Sequence, residues 1–256
     1  MSGAEILLIG LAAFLAGAMN AVAGGGTFFS FPALLAVGVP PVSANASNSV
    51  ALWPASLSGA LAYRRELSRH KPYLVPLSVV ALLGGAAGGL LLLITQDATF
   101  SELIPWLLLV ATLLFAFSGQ VQKLLARLRG GESMEAVRNT PASLLAQLAV
   151  SIYGGFFGAG MGIMMIASLA IQGHGDVQDI NAIKNWLSAL IYSVAVVTFI
   201  LAGAVSWPHT AVMLVTATAG GYAGAALARS IPQLWLRRFI IAVGALLTLY
   251  YFRKTL

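Results

Sequence analysis

Apolar segments recur along the chain at roughly 5–23, 26–37, 43–62, 73–94, 103–119, 141–157, 161–172, 180–202, 208–228 and 234–252. A helix that crosses a bilayer core about 30 Å thick needs about 20 such residues. Only 9% of the residues are charged, against about 25% in a soluble domain, so there is too little polar surface to cover a soluble globule. These observations define a polytopic, all-α membrane protein.

Two of the segments, 26–37 and 161–172, are too short to span, and both follow a glycine cluster. Glycine costs ~1 kcal/mol relative to alanine inside a helix, so Gly24, Gly25 and Gly26 in "AGGGTFFSFPALLA" should break one. A shift of 134 residues lays that stretch on "FGAGMGIMMIASLA", matching Gly24 to Gly158 and Gly26 to Gly160. A shift of 136 then matches Asn45-Ala46 to Asn181-Ala182, sets Asn48 on Lys184, and lays "LGGAAGG" (83–89) on "AGGYAGA" (219–225). Three patches in one order imply a duplicated unit: a first repeat at 1–119, a linker at 120–140 and a second repeat at 141–256.

Positive charge chooses between two topologies, because cytoplasmic loops are enriched in Lys and Arg. If each glycine-broken pair crosses the membrane, the copies are parallel and 10 basic residues lie inside against 4 outside. If each pair is a re-entrant hairpin followed by three transmembrane helices, the copies are inverted and the split becomes 12 against 2. The inverted arrangement is the expectation. The net charge of +6 then reflects topology and anionic headgroups rather than nucleic acid. The N-terminus has no basic n-region, so the first segment reads as retained structure.

Irregular backbone at membrane depth is tolerated where protein buries it or a polar cavity receives it. Paired breaks in two inverted halves point to a transporter's central site. The glycines of "LGGAAGG" and "AGGYAGA" read differently: Gly84/Gly88 and Gly220/Gly224 have the small-xxx-small spacing that lets helix backbones approach. After each break comes a helix with a polar stripe. Asn45 and Asn48 share one face; Asn181, Lys184 and Asn185 share another. An ionisable residue in a bilayer costs at least ~2.5 kcal/mol and is a functional candidate by default. The bland alternative for Lys184 is snorkelling to the interface.

No Asp or Glu falls securely within a span, and there is no cysteine. Asn amides, helix N-termini, exposed backbone N–H groups and one ammonium, without carboxylates, suit an anion and not a cation. The expected substrate site therefore comprises Asn20, Gly24, Gly25, Gly26, Asn45, Asn48, Gly158, Gly160, Gly162, Asn181, Lys184 and Asn185, with no metal and no cofactor. Asn20 lines this cavity or bonds a neighbouring helix. Thr27 and Ser30 contact substrate or bond back to helix carbonyls. His70, His174 and His209 lie near loops and read as solvated. Pro54 and Pro76 read as kinks, and 120–140 as a basic amphipathic linker against anionic lipid. No catalytic set is visible, which disfavours an intramembrane enzyme.

The stretch "AGAMNAVAGGGTFFSFPALLAVGVPPVSANASNSVALWPAS", with "YGGFFGAGMGIMMIASLA" and "INAIKNWLSALIYS", resembles the two halves of the sulfite exporter TauE/SafE family. The resemblance implies a permease of a bacterial or archaeal inner membrane. Its cargo would be small sulfur-containing or carboxylate anions such as sulfite or organosulfonates. A passive anion channel and a non-transporting scaffold or partner subunit are the alternatives. The expected partners are the small anion and the lipid bilayer; monomer and homo-oligomer both stay open. Gly25 is replaced by Ala159 in the second copy and Pro32 by Ile166, so the two half-sites should not be equivalent.

Overall fold

The structure, a computed structural model, describes residues 1–22, 25–62, 64–67, 71–128, 140–171, 177–227 and 233–255. Gly24, His70 and His174, and linker residues 129–139, lie outside them. Among the described residues the chain is entirely helical: α1 (Gly3–Val22), α2 (Thr27–Ala36), α3 (Pro41–Ala62), α4 (Arg64–Leu67), α5 (Lys71–Ile94), α6 (Asp97–Leu128), α7 (Pro141–Phe156), α8 (Met161–Ile171), α9 (Val177–Leu201), α10 (Trp207–Leu227) and α11 (Gln233–Thr255). Four are long and apolar enough to cross a membrane, over Gly3–Asn20, Tyr73–Ile94, Asp97–Gln120 and Asp179–Leu201. Leu7, Leu11 and Leu15 on α1, and Leu83, Leu90 and Ile94 on α5, point outward, as lipid-facing residues do.

The short segments end where the glycines require. α1 stops at Val22 and α2 starts at Thr27; α7 stops at Phe156 and α8 starts at Met161. Gly158 and Gly160 both adopt positive φ, at 81° and 76°, a region closed to most L-residues. Other boundaries differ from the sequence expectation. α6 begins ahead of the apolar segment 103–119 and takes in Asp97 and Glu102; the Asp97 carboxylate accepts the Val42 N–H at 2.8 Å and ties the helix start to α3. α9 starts at Val177, so Lys184 lies two turns inside the helix rather than near its end.

The packing comes in matched pairs. α1 lies on α10 as α7 lies on α5; α3 meets α10 as α9 meets α5; α2 touches α11 as α8 touches α6. α3 and α9 face each other at the centre. The glycines behave as close-packing positions: a side chain at Gly220 would strike the Phe14 carbonyl, and one at Gly88 the Ile152 carbonyl. These contacts also give helix direction. Gly10 lies near Val212 and Thr216 while Gly224 abuts Ala18, so α1 and α10 run the same way. Gly84 abuts Ser151 and Gly88 reaches Phe156, so α5 and α7 do too. Trp186 bonds Ser78 and Gly89 meets Ala195 and Phe199, setting α9 parallel to α5. Against α3, however, α9 runs in opposition: Trp53 meets Ser193, and Gly59 meets Asn185.

The two breaks also approach each other. The Phe31 and Phe157 rings pack edge to face at 5.6 Å, and Phe100 closes on both. Gly25 lies against Ile240 of α11, and Gly160 against Ala111 and Leu114 of α6, so each break is seated on the last helix of the other half.

Candidate functional site

The residues expected to converge on one anion fall into two clusters. The first is closed. Asn45 and Asn48 are fully buried on α3. The Asn48 amide donates to Thr27 Oγ1 at 3.4 Å, and its carbonyl accepts the Ser30 hydroxyl. Ser30 Oγ also lies 3.3 Å from the Gly26 carbonyl, so its one proton is shared between a backward and a cross-helix acceptor. Gly26 is pressed on the Ala16 carbonyl and lies beside Asn20, and a Cβ there would collide. Asn45 donates from Nδ2 to the Phe156 carbonyl at 2.8 Å. Phe156 ends α7, so its carbonyl is one of the orphan acceptors of a helix C-terminus. An amide from the first half thus caps a helix of the second.

The second cluster is open. Asn181, Lys184 and Asn185 are half-buried along α9, and none of their side chains takes a hydrogen bond or ion pair among the described residues. Lys184 lays its stem on Gly162, with Cδ 3.6 Å from where a Cβ would stand. Asn185 sits against Gly59 of α3. That glycine is eleven residues beyond Asn48 on the same helix, a rise of about 16 Å. The antiparallel course of α3 and α9 therefore separates Asn48 from Asn185. Asn181, the counterpart of Asn45, caps nothing among the described residues.

Beside the open cluster the glycine turn is held from behind. Tyr153 donates its hydroxyl to the Ala159 carbonyl at 2.7 Å, and the Gly158 N–H returns to the Tyr153 carbonyl at 3.2 Å. The amides of Ala159 and Gly160 find no acceptor among the described residues. Free amides at a helix start, an ammonium and two carboxamides form a donor-rich surface, which is what an oxyanion needs.

Sequence reasoning missed several polar residues here. Trp53 donates to Ser193 at 2.8 Å and Trp186 to Ser78 at 2.9 Å, tying α9 to its neighbours. Gln147 is fully buried on α7, bonded to Ser151 at 2.9 Å, with its Oε1 unpaired. Neither an indole nor a lone carboxamide carries a spacing signal in these helices, and only its depth could have marked it. His209 bonds Ser206 at the start of α10 at 2.7 Å.

A model of the sulfite exporter TauE/SafE family matches residues 9–251. A probable membrane transporter protein of Haemophilus influenzae is 26% identical over 238 residues, covering 92% of this chain and 89% of its own. The probable membrane transporter protein YfcA of Escherichia coli K12 is 28% identical over 249 residues, covering 94% and 88%. A probable membrane transporter protein of Sinorhizobium, ORF9, is 28% identical over 200 residues, covering 77% and 73%. No solved structure matches the chain.

Proposed function

The chain belongs to the sulfite exporter TauE/SafE family of membrane transporters, and from that premise we propose that it carries small oxyanions, such as sulfite or organosulfonates, as a secondary transporter of a bacterial or archaeal inner membrane. The observation that carries this reading is the open cluster on α9. Lys184 stands two turns inside a membrane-length helix, and among the described residues no carboxylate is paired to it, the flanking asparagines have no partner and the neighbouring amides are free. An ammonium at this depth in a membrane helix is costly unless an anion neutralises it.

The repeats are read as inverted, each a re-entrant hairpin and three spans. In support, α1 runs with α10, α5 runs with α7 and α9, and α9 opposes its counterpart α3. Alternating access would then come from one repeat rocking on the other about the α3–α9 contact. Because the ammonium and two uncommitted carboxamides lie on α9, the second repeat holds most of the substrate's contacts, and the first packs against it.

The test is flux in proteoliposomes holding the purified chain, with sulfite, small sulfonates and small carboxylates, each with and without a proton gradient. At least one oxyanion should move saturably, and Lys184→Ala should abolish that movement while the protein still inserts. Undiminished flux in Lys184→Ala removes the ammonium from the site, and flux of no anion overturns the reading.

A further inference from the structure

We propose that the Tyr192 hydroxyl is a substrate contact, forming the inner end of an oxyanion groove that begins at Lys184; this rests on the anion-transport reading. Lys184, Ser188 and Tyr192 follow at four-residue intervals, and so form one ridge of α9. Tyr192 lies eight residues beyond Lys184, about 12 Å further along the helix axis. It stands near the middle of the apolar stretch Asp179–Leu201, the depth at which alternating-access sites are built.

The opposite wall of this groove is backbone. Lys184 lies on Gly162, and the Tyr192 hydroxyl lies 2.7 Å from the position a Cβ on Gly158 would take. Between those two glycines run the free amides of Ala159 and Gly160. A side chain at Gly158 would fill the space before the hydroxyl, and its φ of 81° already disfavours one. Neither the Ser188 nor the Tyr192 hydroxyl takes a hydrogen bond among the described residues. Both residues are half-buried at membrane depth, where an unpaired hydroxyl is expensive. A neutral phenol donates one hydrogen bond to an oxyanion and adds no charge, so it can hold the anion at mid-membrane without trapping it.

The neighbouring tyrosine supplies the contrast. Tyr153 has its hydroxyl committed to the Ala159 carbonyl, so it shapes the turn and has no donor to offer a ligand. Sulfite and methanesulfonate flux would be measured with the full chain in proteoliposomes for the native protein, Tyr192→Phe, Tyr153→Phe and Lys184→Ala. Thermal unfolding would be followed in detergent for each. Tyr192→Phe should raise KM about tenfold, as expected for loss of one hydrogen bond to a charged ligand, with Vmax within about twofold and an unchanged melting temperature. Tyr153→Phe should do the reverse, lowering the melting temperature and leaving KM in place. If Lys184→Ala abolishes flux while Tyr192→Phe keeps the native KM, the tyrosine contact is wrong and the anion reading stands. If Lys184→Ala transports normally while Tyr192→Phe raises KM, the contact stands without the ammonium. A native protein that moves neither probe overturns the contact for these oxyanions, and one that moves no small carboxylate either overturns the anion reading as well.

Discussion

Asn45 and Phe156, 111 residues apart, are joined by one hydrogen bond of 2.8 Å that closes the end of α7 with an amide from α3. The other face of that amide, Oδ1, is buried and unpaired, so the residue is held for its donor. Asn45→Ala would leave the Phe156 carbonyl without a partner in an apolar surround. The cost of an unsatisfied buried acceptor is about 1–3 kcal/mol. The variant should show a lower melting temperature in detergent. Asn45→Asp should be worse than alanine, since a carboxylate would face the carbonyl with no proton to give. Equal stability of Asn45→Ala and the native protein would mean that α7 ends without the cap.

The glycines of α10 are separable by a single position. Gly220 is pressed on the Phe14 carbonyl, whereas the nearest atom to a Cβ on Gly221 is the Gly17 carbonyl oxygen at 3.7 Å. Gly220→Ala must push α1 away from α10 and forfeit packing along the seam, at a cost of about 1–3 kcal/mol for an overpacked contact. Gly221→Ala meets only ordinary contact and gains helix propensity, so it should be neutral or slightly stabilising. Detergent unfolding of the two variants side by side decides the matter. If both melt alike, the small-xxx-small spacing does not set the helix approach.

At the second break, Gly158 and Gly162 should respond differently to the same change. Gly158 has φ 81° and faces the Tyr192 hydroxyl, while a Cβ on Gly162 would meet only the flexible Lys184 stem at 3.6 Å. Gly158→Ala therefore carries about 1–2 kcal/mol of left-handed strain in addition to the collision. Its melting temperature should fall, and Gly162→Ala should stay within a degree or two of native. A Gly158→Ala protein as stable as Gly162→Ala would show that the turn relaxes out of the left-handed region.

Much of this was legible in the sequence because it is set locally. Three glycines in a row, or Gly-Ala-Gly-Met-Gly, break a helix wherever they stand, and the short helices α2 and α8 follow from them. The close-packing role of Gly84, Gly88, Gly220 and Gly224 was likewise carried by spacing alone. The division of the polar residues into a closed and an open cluster was not legible. Whether Asn45 is sealed depends on Phe156, and whether Asn48 is spent depends on Thr27 and Ser30, all partners chosen by tertiary packing. Nor did the matched positions Asn45 and Asn181 reveal that only the first would cap a helix. Tyr192 did leave a trace, since it stands seven residues after Asn185 and so shares its face. Without a second polar residue in between other than Ser188, that trace was too faint to separate from core packing.

The opposed course of α3 and α9 underlies the separation of the two clusters, and the chain is ready for its test because it has no cysteine. Trp53 meets Ser193, so with the helices antiparallel the chain six residues further along α3 should meet a residue earlier on α9. Gly59 indeed meets Asn185, with 3.7 Å between the position of a Cβ and the Asn185 Cγ. Were the helices parallel from the same Trp53–Ser193 contact, Gly59 would instead stand beside Phe199. Phe199 lies fourteen residues from Asn185, about 21 Å along α9, far beyond the Cα separation of about 4.4–6.8 Å that a disulfide tolerates. Membranes containing Gly59→Cys with Asn185→Cys should therefore cross-link on mild oxidation. The pair Gly59→Cys with Phe199→Cys should not. Because both cysteines are in one chain, the readout is loss of thiol labelling in the denatured protein, restored by reductant. Cross-linking of the second pair and not the first would reverse α9, remove the support for inverted repeats, and bring Asn48 and Asn185 to the same depth after all.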